Sequence, residues 1–238
     1  MNQRIEPHTV RRYDGELEHL HSLSLAMGKR VLGQVNKALE AFRVRNPVLA
    51  RQAVEEDCEI DRMEVEADDE ITKLLARRCP MSSDLRLVIA ASKTIGDFER
   101  IGDEAVKIAG LVEMMSAEED VFCRPPSYDV EKMGDLAVSC LREALEVFAC
   151  WDEVKAERVI ARCKEMESEF EADLRHLMTY VYQEPRNIRF VIGVVLAMKA
   201  LERIGHHAHN IVEYVIFQVK GEDIRASEEH GPSPLPSA

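Results

Sequence analysis

Two carboxylates four residues apart, Glu99 and Asp103, lie in the stretch FERIGDEAVKIA. The same Glu-Arg-Ile-Gly phrase returns at Glu202 in LERIGHHAHNIV, with His206 in the place of the aspartate. On a helix, side chains at i and i+4 project within about 40° of each other, one turn apart. Each pair can therefore offer two donor atoms to one cation. The segment before the first pair is also acidic: Asp57, Asp61, Glu64 and Asp68 follow the line that Val54 begins and Ile71 and Leu75 continue, so carboxylates occupy a face expected to be core. In the second half Glu169 and Asp173 repeat the four-residue spacing, His176 lies one turn beyond, and His209 and Glu213 extend the face of Glu202 and His206.

Like charges at this spacing repel, and partial burial raises the cost. A bound cation removes it. Carboxylate oxygens favour Mg, Ca, Mn or Fe, whereas imidazole moves the preference toward Fe, Ni, Zn or Cu. The expectation is a multinuclear metal cluster on each half, the first held by oxygen alone. The plainer alternative is that these residues form solvated helix faces, as charge runs usually do. What sets them apart is their recurrence at matching places in a repeat.

Other candidates carry less. Glu16 with His19 and Glu18 with His21 have an ExxH spacing, but a ferritin-like centre needs two such motifs facing each other, so these histidines read as surface residues. Six cysteines, Cys58, Cys79, Cys123, Cys140, Cys150 and Cys163, include no CxxC pair and read mostly as core filler of a protein from a reducing cytoplasm. Gly96, Gly102 and Gly205 read as points of close helix approach beside the carboxylates, while Arg86, Arg100, Arg189 and Arg203 are available to pair with excess acid. There is no Gly-rich phosphate loop, nucleophile elbow or HExxH. The residues thus suggest no enzyme, although a multinuclear carboxylate site has the makings of a metal-dependent phosphohydrolase or an iron-storage protein.

Helices must position all these groups. In 238 residues, 46% hydrophobic and 32% charged with few aromatics and glycines, helices fit better than sheets. Asn46-Pro47, Ser82-Ser83-Asp84, Asp152 and Pro185 to Asn187 supply helix starts. Val88, Ala91, Ile95, Phe98, Ala105, Ile108 and Val112 recur at helical spacing. Six helices are predicted, over residues 9–44, 47–79, 83–115, 129–149, 152–183 and 187–220. The polar, proline-containing stretch SAEEDVFCRPPSY divides them, giving a first three-helix bundle over 1–116, a linker over 117–128, a second bundle over 129–220 and a disordered tail over 221–238. Lys and Arg number 31 against 44 acidic residues, a net charge of −13 that repels nucleic acid and anionic lipid. The apolar run from Phe190 to Met198 is too short to span a bilayer, so no direct membrane insertion is expected.

The stretches MSSDLRLVIAASKTIGDFERIGDEAVKIA and LMTYVYQEPRNIRFVIGVVLAMKALERIGHHAHNIVEYVIFQVKG resemble the two signature regions of the PhoU family, the accessory proteins of phosphate-specific transport systems. The resemblance runs from about Tyr13 to Gly221. It implies an all-α fold of two tandem three-helix bundles related by internal duplication, and a homodimer. It also implies an iron or zinc cluster on each bundle, with Mg or Mn as hard-ion alternatives. Glu64, Asp68, Glu99 and Asp103 would hold one cluster and Glu169, Asp173 and Glu202 the other, where His206 replaces the usual aspartate. The implied role is a cytoplasmic adaptor at the periphery of inner-membrane complexes. Its implied partners are the ATPase subunit of a phosphate ABC transporter and a phosphate-sensing membrane histidine kinase, whose starvation response it damps.

Overall fold

The computed structural model describes residues 11–116, 128–183 and 188–221. Within them the chain forms α1 (Arg11–Val44), α2 (Pro47–Arg78), α3 (Ser83–Ser116), α4 (Tyr128–Cys150), α5 (Glu153–Gln183) and α6 (Ile188–Lys220). The expected helices thus stand at the expected places. The proline-containing linker, the start signal at Pro185 to Asn187 and the tail beyond Gly221 lie outside the described residues.

Local chemistry explains the corners. Asn46 keeps an extended backbone and its Oδ1 accepts from the amides of Val48 (2.9 Å) and Leu49 (3.4 Å), while Pro47 fills a position whose amide needs no partner. Asp152 does the same for α5, its Oδ1 accepting from the Lys155 amide at 3.1 Å. Ahead of these caps the chain turns through left-handed residues, Arg45 (φ 52°) and Trp151 (φ 55°), so the two bundles reverse direction by the same device.

The α3 stripe foreseen in the sequence, from Val88 to Val112, is buried throughout. The α2 stripe needs correcting. Val54 and Leu75 are exposed, and the buried face instead runs through Ala50, Ala53, Ile60, Ala67, Ile71 and Leu74. That face repeats in steps of three and four residues, and Asp57 and Glu64 fall at the two steps where an apolar residue is missing. Ala156, Val159, Met166 and Leu177 of α5 answer to Ala50, Ala53, Ile60 and Ile71 at one constant spacing, and the buried residues of α4 follow those of α1 at the same spacing.

The bundles are not separate. α3 lies along α6 in the most extensive helix pairing of the molecule, and the buried residues of both halves merge into one core. Gly28 of α1 lets that core close: a β-carbon there would stand 2.3 Å from Leu145 Cδ2 and 2.6 Å from Phe98 Cζ. Polar bonds register the halves. Arg203 Nη1 donates to Glu104 Oε1 at 3.1 Å, Arg86 Nε donates to the Gln218 carbonyl at 3.4 Å, and His207 Nδ1 lies 2.8 Å from Asp97 Oδ1. Arg100 Nη1 donates to that same Asp97 oxygen at 3.2 Å. Asp97 is wholly buried, and its Oδ1 is shared between these two partners on α6 and α3.

Candidate metal centre

The acidic residues of α2 and α3 face each other across one seam. Asp57, Glu64 and Glu99 are half-buried, while Asp61, Asp68 and Asp103 stand at the exposed margin. Gly102 permits the approach. A β-carbon there would meet Asp57 Oδ1 at 3.1 Å and Gln34 Oε1 at 3.2 Å, so a larger residue would push α2 away. Gln34 of α1, a buried amide, donates from Nε2 to Asp57 Oδ1 at 3.0 Å and to the Ala53 carbonyl at 3.1 Å.

The carboxylates feel one another. Burial holds the Glu99 carboxyl above its ordinary range, and Asp103, Glu64 and Asp61 push the same way against the opposing pull of Arg100. Glu64 is raised first by burial, then by Asp68 and Asp61, with Arg100 again opposing and Asp103 adding to the rise. Asp57 is raised chiefly by burial; the Gln34 hydrogen bond opposes this, and Asp61 and Asp103 reinforce it. All six carboxylates therefore share one negative region whose nearby cation is Arg100. Its oxygen donors suit a hard cation.

The α5–α6 seam is built differently. Glu169 is half-buried and forms an ion pair with Lys132 of α4. Glu202 pairs with Lys199 Nζ at 2.6 Å, and that ammonium also sits 5.1 Å from the centre of the Phe170 ring. Phe170 takes the place in the α5 repeat that Glu64 takes in α2. Asp173 is half-buried, His206 and His176 are exposed, and His209 Nε2 lies 3.7 Å from the buried Glu213 Oε1. Among the described residues, no three Asp, Glu, His or Cys side chains are gathered into a ready ligand cage in either seam. The donor set fits a cation in the first seam. In the second, lysines already balance the two glutamates.

Several readings of single residues change. Cys58, Cys79 and Cys150 are exposed rather than core filler, Cys140 and Cys163 are buried, and Cys123 lies outside the described residues. Their sequence neighbours carry helix periodicity but do not say which face a lone thiol takes. Gly96 meets nothing within 4 Å, so it is no point of close approach; Gly205 is one, against Met166 rather than a carboxylate. His21 is not a surface residue. It stacks on Trp151 (5.3 Å between ring centres), its Nε2 lies 3.1 Å from the Phe148 carbonyl, and burial holds its basicity below the ordinary value. In the other pair, Glu16 accepts two bonds from Arg78 at 2.7 and 2.8 Å, while His19 is exposed as expected. Gln34 and Lys132 were missed, since their meaning depends on which helix lies opposite; Lys199 was missed although its spacing of three residues from Glu202 on α6 was a local signal.

A duplicated all-α bundle with an acidic seam in its first half is thus the class of molecule these helices define. The PhoU domain model matches the chain twice, over residues 25–112 and 130–215. The chain belongs to the PhoU family. It is 42% identical to a phosphate-specific transport system accessory protein PhoU homolog of Pseudomonas putida, over 92% of this chain and 84% of that one. With the phosphate-specific transport system accessory protein PhoU of Escherichia coli strain K12 it shares 33% identity, covering 93% and 90%. The fold is similar to the crystal structure of PhoU from Pseudomonas aeruginosa, with a TM-score of 0.84 at 40% identity, covering 88% of this chain and 100% of that one. It is also similar to the phosphate transport system regulatory protein PhoU of Streptococcus pneumoniae, with a TM-score of 0.80 at 25% identity, covering 88% and 98%.

Proposed function

We propose that the protein regulates phosphate uptake and the phosphate-starvation response as a non-enzymatic adaptor on the cytoplasmic side of a phosphate importer. The observation that carries this reading is that both halves match the PhoU domain, joined as in relatives named for phosphate-specific transport. Among the described residues no helix is long and apolar enough to cross a membrane, which agrees with docking on a transporter rather than inserting beside it. Ile188, Ile192 and Leu196 stand exposed one turn apart on α6 and support contact with protein partners. The partners in this reading are the transporter's ATPase subunit, a sensor histidine kinase and a second copy of the chain.

In this reading the α2–α3 seam holds the metal, through Asp61, Glu64, Asp68, Glu99 and Asp103. A bound iron or zinc cluster supplies the positive charge that lets these carboxylates stand together. Gly102 lets α2 lie close to α3 and the Gln34–Asp57 bond ties α2 to α1, so the seam is prepared before any cation arrives. A second cluster on Glu169, Asp173, Glu202, His206 and His209 would have to displace Lys132 and Lys199 first.

The test is deletion of the gene in its source organism, with starvation-response transcripts measured in high phosphate. Derepression of several-fold or more, reversed by the intact gene, is expected. Unchanged repression would remove the regulatory role while leaving the fold as it is.

A further inference from the structure

Duplication leaves the two corners where α1 meets α4 unequal. At the constant spacing between the halves, Phe42 and Arg45 of α1 answer to Phe148 and Trp151, Gly134 answers to Gly28, and Leu201 of α6 answers to Phe98 of α3. One corner is filled with rings. Trp151 stacks on His21 at 5.3 Å between ring centres and leans on Phe148 at 5.4 Å, while the Phe98 ring closes on Gly28. At the other corner Arg45 and Leu201 take the places of Trp151 and Phe98, and the gain of Phe190 where the first half has Leu87 replaces only one of the two lost rings. A cavity of about 510 Å³ is left open between α1, α4 and α6.

Its walls divide in character. Phe42, Val138, Phe190 and Val194, all buried, form an apolar floor. Around the floor stand the guanidinium groups of Arg43, Arg45 and Arg142 and the carboxylates of Glu40, Glu131 and Asp135. Arg43 is bound to Glu40, and the Arg45 guanidinium lies 5.0 Å from the centre of the Phe190 ring. The volume is in the range of pockets that enclose small organic ligands.

We propose that this cavity binds a purine nucleotide, with its base on the apolar floor and its phosphate at Arg45 and Arg142. The filled corner supports the base: a heteroaromatic ring occupies the same address there, and the open corner is short of one ring. The arginines support the phosphate, because planar guanidinium groups match phosphate oxygens and are gathered here in a chain of net charge −13 whose overall field repels anions. Glu131 and Asp135 narrow the class further. They accept hydrogen bonds from ring N–H and amino groups, which a purine offers and a plain aryl phosphate lacks. Such a ligand touches the first bundle through α1 and the second through α4 and α6, and the seam carboxylates do not line its site.

The test is calorimetric titration of the full chain, treated with chelator so that no metal bridges ligand to seam. The probes are AMP, GMP and ATP, with adenosine, guanosine and inorganic phosphate as their separated parts. Expected is saturable binding of at least one nucleotide, one per chain, with its nucleoside and phosphate alone each weaker by about tenfold or more. Arg142→Gln, at an exposed position, should weaken that nucleotide by about tenfold and leave the helical signal unchanged. Arg45→Trp copies the filled corner on a left-handed backbone (φ 52°) that Trp151 already adopts (φ 55°), so binding should be lost while the fold is kept. Should that variant fail to fold, Arg142→Gln decides alone. The proposal is overturned if no nucleotide binds at millimolar concentration, if the nucleoside or phosphate binds as tightly as the nucleotide, or if either folded variant binds it as the unsubstituted chain does.

Discussion

The α2–α3 seam and the α5–α6 seam descend from one pattern and balance their charge in different ways. In the first, six carboxylates share one region, burial and mutual repulsion raise Asp57, Glu64 and Glu99, and Arg100 is the nearby cation. In the second, Lys132 and Lys199 neutralise Glu169 and Glu202, and an aromatic ring takes the place of Glu64. Duplication thus preserved the apolar positions, where a change of volume is felt throughout the core, and let the polar ones diverge. The first seam is left with uncompensated negative charge and a reason to take up a cation. The second is largely content without one.

The comparison can be broken by metal content, measured by atomic absorption after reconstitution with iron or zinc. Glu99→Ala with Asp103→Ala should remove most of the bound metal while the helical signal persists, because both side chains lie at the margin of the core. Glu202→Ala with His206→Ala should remove much less. Equal losses would mean that the two seams are equivalent in the loaded protein, whatever their lysines do in its absence.

Packing offers a second contrast. Gly28→Ala drives a methyl group into the Phe98 ring and Leu145 and should cost about 1–3 kcal/mol in urea unfolding. Its counterpart Gly134 meets only Leu39, at 3.0 Å. There the gain in helix propensity, about 1 kcal/mol, should leave Gly134→Ala close to neutral. A large loss at Gly134 would show that the second bundle is packed as tightly on its neighbours as the first.

The smallest effect sharpens the electrostatic contrast. Because Glu64 and Glu99 have raised folded-state pKa values, the folded protein holds protons that the unfolded chain has released. Their stabilising contribution is complete below the ordinary carboxylate pKa and is lost as pH rises through the raised values. In chelator-treated protein, Glu64→Gln with Glu99→Gln should therefore raise the neutral-pH unfolding midpoint slightly, by less than about 1 kcal/mol, and flatten its pH dependence. Glu169→Gln with Glu202→Gln gives up two lysine partners and should bring no such gain. A midpoint that falls in the first variant would show that those carboxylates already stabilise the seam without metal.

The sequence by itself determined the helices, because apolar spacing, caps such as Asn46 and Asp152 and the repeated Glu-Arg-Ile-Gly phrase are local signals carried by neighbouring residues. It placed Glu99 and Asp103 on one face for the same reason. It misdirected the α2 stripe, since Val54 and Leu75 are as apolar as the alanines that are buried, and only the neighbouring helices distinguish the two faces. The long pairing of α3 with α6, the Gln34–Asp57 tie and the Lys132–Glu169 ion pair were decided by tertiary structure. Each joins residues far apart in the chain, and the energy of such a contact depends on what lies opposite, which spacing along one helix does not encode.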